Sequence, residues 1–236
     1  VPSEPALDPA GGGARAELIA LAAGGEGWSV PLRELPAPAS ARPAAVLILF
    51  GVLDAVPSAH DAQDAAVSRE LDVLLLERAT TLRAHPGQVA FPGGRLDPGD
   101  AGPIAAALRE AEEETGLDPA GVEVLGALPS VPLEFSGHLV TPVLGWWRHP
   151  SPVRVVDDAE SAAVFRAPVA DLLDPRNRAV TVIERDGRVW RGPAFEVQGH
   201  LVWGFTAMLL DALFDRLGWT EPWDLGDRTR RIPLPS

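Results

Sequence analysis

Between Pro103 and Gly116 the chain writes a helix with both ends marked. Proline suits a first helical turn, where its missing N–H has no partner to lose, and glycine readily takes the left-handed conformation that stops a helix. Pro103–Thr115 is therefore the best-defined element of the sequence. Its last turns carry Arg109, Glu110, Glu112, Glu113 and Glu114. At 100° per residue, with Glu110 as zero, Glu113 falls at about −60° and Glu114 at about +40°, whereas Glu112 points roughly the other way. Three carboxylates share one narrow arc. Like charges three and four residues apart destabilise a helix by roughly 0.2–0.5 kcal/mol per pair. Acids near the C-terminal end also oppose the helix dipole. A solvated face tolerates both costs; a site for hard divalent cations uses them.

The surrounding chain mixes strands with helices. Apolar runs predict strands over Ala44–Leu53, Leu71–Glu77, Val122–Ala127, Leu139–Trp147 and Val164–Ala167. Asp186-Gly187 predicts a hairpin between Ala179–Glu184 and Arg188–Arg191. Helices are expected at Ala14–Ala23, Val169–Leu173 and Phe205–Leu217, the last with Phe205, Leu209, Leu213 and Leu217 as its packing stripe. Thr80–Gly102 reads as a long functional loop. Hairpins intermixed with helices favour a mixed-sheet α/β domain over a doubly wound one. Residues 1–43, rich in Ala, Gly and Pro, read as a partly mobile N-terminal extension with one short helix. Residues 44–220 read as the domain, and 221–236 as a polar tail. Trp146, Trp147, Trp190 and Trp203 are expected mainly in the core.

Composition removes several chemistries. Cysteine, tyrosine and lysine are absent, and all 20 basic residues are arginine. Disulfides, thiolate metal sites, a cysteine nucleophile, lysine Schiff bases and the lysine-dependent P-loop are thereby excluded. The formal charge of −13 speaks against a nucleic-acid polymer or an anionic membrane as partner. No apolar run reaches the length of a bilayer span, and the first residues lack the basic start and apolar run of a secretory signal, so the expected location is the cytoplasm.

Magnesium takes oxygen ligands, usually a few carboxylates completed by waters and substrate phosphates. Glu110, Glu113 and Glu114 fit that need, and Gly93-Gly94 would let the backbone approach and offer a carbonyl. From spacing alone, a solvated acidic face and a cation site both remain open.

The longer pattern resembles the signature of the Nudix hydrolases, GX5EX7REUXEEXGU with U apolar. Gly94, Arg109, Glu110, Ala111, Glu113, Glu114, Gly116 and Leu117 stand at its positions. Asp100 replaces the first glutamate and lies one residue farther from Arg109 than the pattern asks. The upstream segment, with Leu74, Leu75, Arg78, Ala79, Arg83, Gly87 and Phe91-Pro-Gly-Gly94, is similar to the extra motif of the coenzyme A pyrophosphatase branch; Leu76 replaces its threonine.

The resemblance implies an α/β/α sandwich around a mixed sheet and a hydrolase dependent on Mg2+ or Mn2+. Gly94, Glu110, Glu113 and Glu114 would hold metal, and Arg109 would orient a glutamate of its own helix. Arg78, Arg83, His85 and Gln88 would bind substrate phosphates, since guanidinium forks suit phosphate oxygens. Glu113, Glu114 or Glu160 would accept the proton of the attacking water. The implied substrate is coenzyme A or an acyl-CoA, cut at its pyrophosphate into adenosine 3′,5′-bisphosphate and 4′-phosphopantetheine or its acyl form. ADP-ribose, NADH or a nucleoside triphosphate as substrate, and a non-catalytic nucleotide-binding module, are the competing readings. A homodimer is left open.

Overall fold

The structure, a computed structural model, describes residues 12–24, 30, 41–52, 57–81, 86–133, 136–185, 188–223 and 229–231. In chain order its elements are α1 (Gly12–Ala23), β1 (Arg42–Val52), β2 (Leu71–Arg78), β3 (Val89–Ala90), β4 (Gly93–Arg95), α2 (Pro103–Thr115), β5 (Val122–Ala127), β6 (Val131–Leu133), β7 (His138–Trp147), β8 (Ser161–Pro168), α3 (Val169–Leu173), β9 (Arg178–Arg185), β10 (Arg188–Val197), β11 (His200–Val202), α4 (Gly204–Leu217) and β12 (Thr229–Arg231). The first eight strands form one sheet whose central path runs β3-β2-β1-β7-β5, with β4 added beside β1, β6 beside β7 and β8 beside β2. The β1–β7 ladder is parallel and the others antiparallel, so the sheet is mixed as expected. A second sheet, ordered β11-β10-β9-β12, was not anticipated as a separate layer.

Helices cover both faces of the first sheet. On one face α2 sets Ala106, Ala107 and Ala111 against Ala45, Leu47, Leu49 and Leu74. Alanine on the buried side lets the helix axis come close to the strands, which is how the carboxylate arc reaches β4. The other face carries Ile48, Phe50, Val73, Leu75 and Leu144, closed by Leu209, Leu210, Leu213 and Phe214 of α4. Phe205 and Leu217 extend that stripe at its partly buried margins. Trp146 and Trp147, being consecutive on a strand, go to opposite faces and enter different clusters. Trp190 and Trp203 are only half-buried.

Helix α1 is integral to the packing. Ala14, Leu18 and Leu21 recur at helical spacing and are buried in the α4-side core. The Arg15 guanidinium donates to both Glu123 carboxylate oxygens, at 2.5 and 3.0 Å, and the Trp219 indole donates to Glu17 at 2.6 Å.

The ends of α2 follow their sequence signals: proline opens it, and Gly116 closes it at φ 69° with its N–H on the Glu112 carbonyl. Three readings need correction. The loop expected at Thr80–Gly102 holds two short strands, β3 and β4. The polar tail contributes β12, which runs parallel to β9. The strands β6 and β11, three residues each, lie where none was expected. The Asp186-Gly187 turn lies outside the described residues, although the flanking strands pair antiparallel as a hairpin requires. No helix among the described residues is long and apolar enough to cross a membrane.

Candidate active site

The site is built where β4 meets α2. β4 pairs with β1 so that Gly94 stands opposite Ala45 and Gly93 opposite Val46. A side-chain carbon at Gly93 would collide with the Ala45 carbonyl, and one at Gly94 would collide with the Glu110 carboxylate. Gly93 is therefore demanded by fixed backbone, whereas a side chain at Gly94 would displace the Glu110 carboxylate, which lies against bare backbone. The Gly93 N–H donates to Glu114 Oε2 at 2.9 Å, fixing a second carboxylate to the same strand.

Arg109 organises the arc from one side. Its Nε and Nη2 form a fork on Asp100, at 3.1 and 3.0 Å. Nη1 reaches Glu113 at 2.9 Å and Glu110 at 3.1 Å, and Nη2 also donates to the Arg95 carbonyl at 3.1 Å. Asp100 holds the Arg109 guanidinium further above its already high pKa, and Arg109 in return holds the Asp100 carboxyl below the usual carboxylate range. Asp100 departs from the family pattern in type and spacing, yet it anchors this arginine. It is the site residue that sequence reasoning passed over, and its signal was only an acid close to the expected place.

The three glutamates differ in exposure. Glu113 is 59% exposed and Glu110 19%. Burial pushes the Glu110 carboxyl upward, opposed by Arg109. Burial pushes Glu114 up to about 7, against the Gly93 N–H and the positive charge of Arg78, while Glu110 and Glu160 push the same way as burial. A buried carboxylate crowded by two more is short of positive charge.

Hard cations prefer oxygen donors of this kind. Glu110 laid against Gly94, and Glu114 short of compensating charge, fit a divalent metal. As placed, the three carboxylates do not converge on one point among the described residues, with Glu113 drawn toward Arg109.

Arg78 ends β2, and its charge acts on Glu114. Its buried Nε has no hydrogen-bond partner among the described residues. Glu160 is exposed, its carbonyl accepts from the Ala79 N–H at 2.8 Å, and its charge also acts on Glu114. Gln88 pairs through backbone with Arg78 and its side chain lies near Gly204 at the start of α4. Arg83 and His85 lie outside the described residues. The geometry thus gathers Gly94, Asp100, Arg109, Glu110, Glu113 and Glu114, with Arg78 and Glu160 within electrostatic reach of Glu114.

Residues 59–185 match the family described as NUDIX domain. The chain is 44% identical over 152 residues to a protein of Cronobacter sakazakii named "Uncharacterized Nudix hydrolase NudL", covering 63% of this chain and 77% of that one. The protein of that name from Escherichia coli K12 is 44% identical over 149 residues, covering 62% and 75%. Among solved structures, the NUDIX domain of Shewanella oneidensis NrtR complexed with ADP ribose is 18% identical with TM-score 0.47, covering 78% and 94%. A Caenorhabditis elegans Ap4A hydrolase binary complex is 20% identical with TM-score 0.40, covering 54% and 81%. The family match spans more than half the chain and includes the whole carboxylate arc, so the protein belongs to the Nudix family and is a hydrolase of phosphorus anhydrides.

Proposed function

We propose that this enzyme hydrolyses the pyrophosphate of coenzyme A or its thioesters. The observation that carries the reading is the pairing of two features. One is the carboxylate arc of Glu110, Glu113 and Glu114, braced by Arg109 and Asp100. The other is a half-buried Arg78 whose buried Nε has no hydrogen-bond partner among the described residues. The upstream Leu74–Gly94 motif that supplies Arg78 favours coenzyme A among diphosphates.

Nudix hydrolases generally use divalent metal ions. Gly94, Glu110, Glu113 and Glu114 would hold Mg2+ or Mn2+, which offsets diphosphate charge and polarises a phosphoryl oxygen. Arg78 would hold a substrate phosphate oxygen, and Arg83, His85 and Gln88 of the same motif would be further substrate contacts. Arg109, fixed by Asp100, keeps Glu110 and Glu113 oriented. Glu160, or alternatively Glu113 or Glu114, takes the proton of the attacking water. The water oxygen bonds to one phosphorus and the bridging P–O bond breaks. The products are adenosine 3′,5′-bisphosphate and 4′-phosphopantetheine or its acyl form.

Rates on coenzyme A, ADP-ribose and NADH at saturating Mg2+ test the substrate. Faster turnover of coenzyme A is expected; equal or better turnover of ADP-ribose overturns the assignment. Glu160→Gln tests the base: a loss of about 100-fold in kcat is expected from general-base chemistry, and near-normal turnover removes Glu160 from that role.

A further inference from the structure

Two guanidiniums and an imidazole gather beside β4 and are not used by the chemistry above. Strand register pairs Arg42 with His138 across β1–β7, and Ala44 with Arg95 across β1–β4. Directly paired residues share a face, as do residues two apart on one strand. Arg42, Arg95 and His138 therefore project from one face. It is the face of Ile48 and Phe50, opposite the one on which Gly94 meets Glu110.

Arg42 and Arg95 are exposed, and neither has a carboxylate partner among the described residues. The Arg42 side chain instead donates to the Ser136 carbonyl at 3.1 Å, which ties it to the turn leading into His138. The Ser136 Oγ is buried with no hydrogen-bond partner among the described residues. Both guanidiniums lie close enough to His138 to join burial in making its protonation harder. In a chain with 33 acids and 20 arginines, two unbalanced guanidiniums, an imidazole and an orphaned hydroxyl in one place are a seat for an anion. Guanidinium forks match phosphate oxygens, and a bound anion would offset the repulsion among the cations.

The seat is joined to the hydrolytic site by covalent neighbours. Arg95 follows Gly94, and its carbonyl receives Arg109. For a ligand whose diphosphate rests at the carboxylates, the seat lies past β4, on the opposite face of the sheet. We propose that Arg42, Arg95, His138 and Ser136 bind a phosphate monoester of the substrate remote from the scissile bond, which in coenzyme A is the 3′-phosphate. The naming of the 3′-phosphate rests on the coenzyme A reading; the anion seat does not.

The test compares coenzyme A with 3′-dephospho-coenzyme A in the parent protein, in Arg42→Gln, in Arg95→Gln and in the double variant. Preference for coenzyme A, taken as the ratio of the two kcat/KM values, should fall about tenfold per arginine. Arg42→Lys should keep part of it. A preserved ratio overturns the proposal, as does an equal loss on both substrates. Should the parent turn over neither compound, the coenzyme A reading fails and the seat is tested by binding. NMR of the His138 ring during titration with adenosine 3′,5′-bisphosphate and with inorganic phosphate should then show shifts that the double variant loses. Absence of such shifts overturns the seat. Shifts from inorganic phosphate together with a preserved substrate preference make it a free-phosphate site and overturn the substrate assignment.

Discussion

The Glu110 carboxylate fills the space that a side chain at Gly94 would take, and that contact sets how the first carboxylate meets the backbone. Gly94→Ala must push Glu110 away, and a misplacement of about 1 Å can cost roughly 100-fold in rate. Loss of kcat of that order with little change in melting temperature is expected; normal activity would show that the close approach is dispensable. Asp72 presents a different case, away from the carboxylate arc. It is buried on β2, one carboxylate oxygen has no hydrogen-bond partner among the described residues, and burial pushes its pKa up to about 7, with Arg166 opposing and Asp171 reinforcing. A carboxyl whose folded pKa lies above its unfolded value binds a proton more tightly when folded. Its stabilising contribution is complete below about pH 4, shrinks as pH rises, and is gone above about pH 7. Asp72→Asn should therefore be more stable than the parent at pH 8 by a few kcal/mol, with the gap closing toward pH 4. Urea midpoints at the two pH values check this, and a gap independent of pH would contradict it.

The elements show what local signals can carry. Helix α2 begins and ends where proline and glycine place it, because capping is decided by a few adjacent residues. The arc of Glu110, Glu113 and Glu114 was legible for the same reason, since helical angle follows from spacing alone. The fork of Arg109 on Asp100 was not, because it joins the helix to a preceding loop and depends on how that loop folds back. Strands β4, β6, β11 and β12 have three residues each, too few to display an alternating pattern, and they exist only through their partners. The Arg42–His138 neighbourhood likewise arises from register between strands nearly a hundred residues apart. Helix α1 was legible as a helix, but its docking was not, since α1 alone does not show what its apolar stripe meets. Leu18 is fully buried there, so Leu18→Ala should cost about 2–5 kcal/mol in chemical denaturation. A cost under about 0.5 kcal/mol would mean that α1 adds nothing to the core.

At the scale of the whole molecule, the net charge of −13 is unevenly spread. Residues 97–118 hold seven carboxylates against Arg109 alone, so much of the excess acid sits at the site proposed to bind cations. Beside β4, the opposite face of the sheet carries the unbalanced pair Arg42 and Arg95. On the proposed assignments, cations would offset the acidic cluster and the substrate's phosphates the basic one. The fold supports this by laying β4 between the two, one face toward α2 and the other toward His138. The bond that is cut decides the proposed activity. Incubation with coenzyme A and Mg2+ in 18O-labelled water, followed by mass spectrometry, reads it directly. Adenosine 3′,5′-bisphosphate and 4′-phosphopantetheine are expected in equal amounts, one of them carrying a single heavy oxygen, with neither formed by Glu114→Gln. Cleavage at any other bond, or undiminished turnover by Glu114→Gln, would contradict the proposed activity.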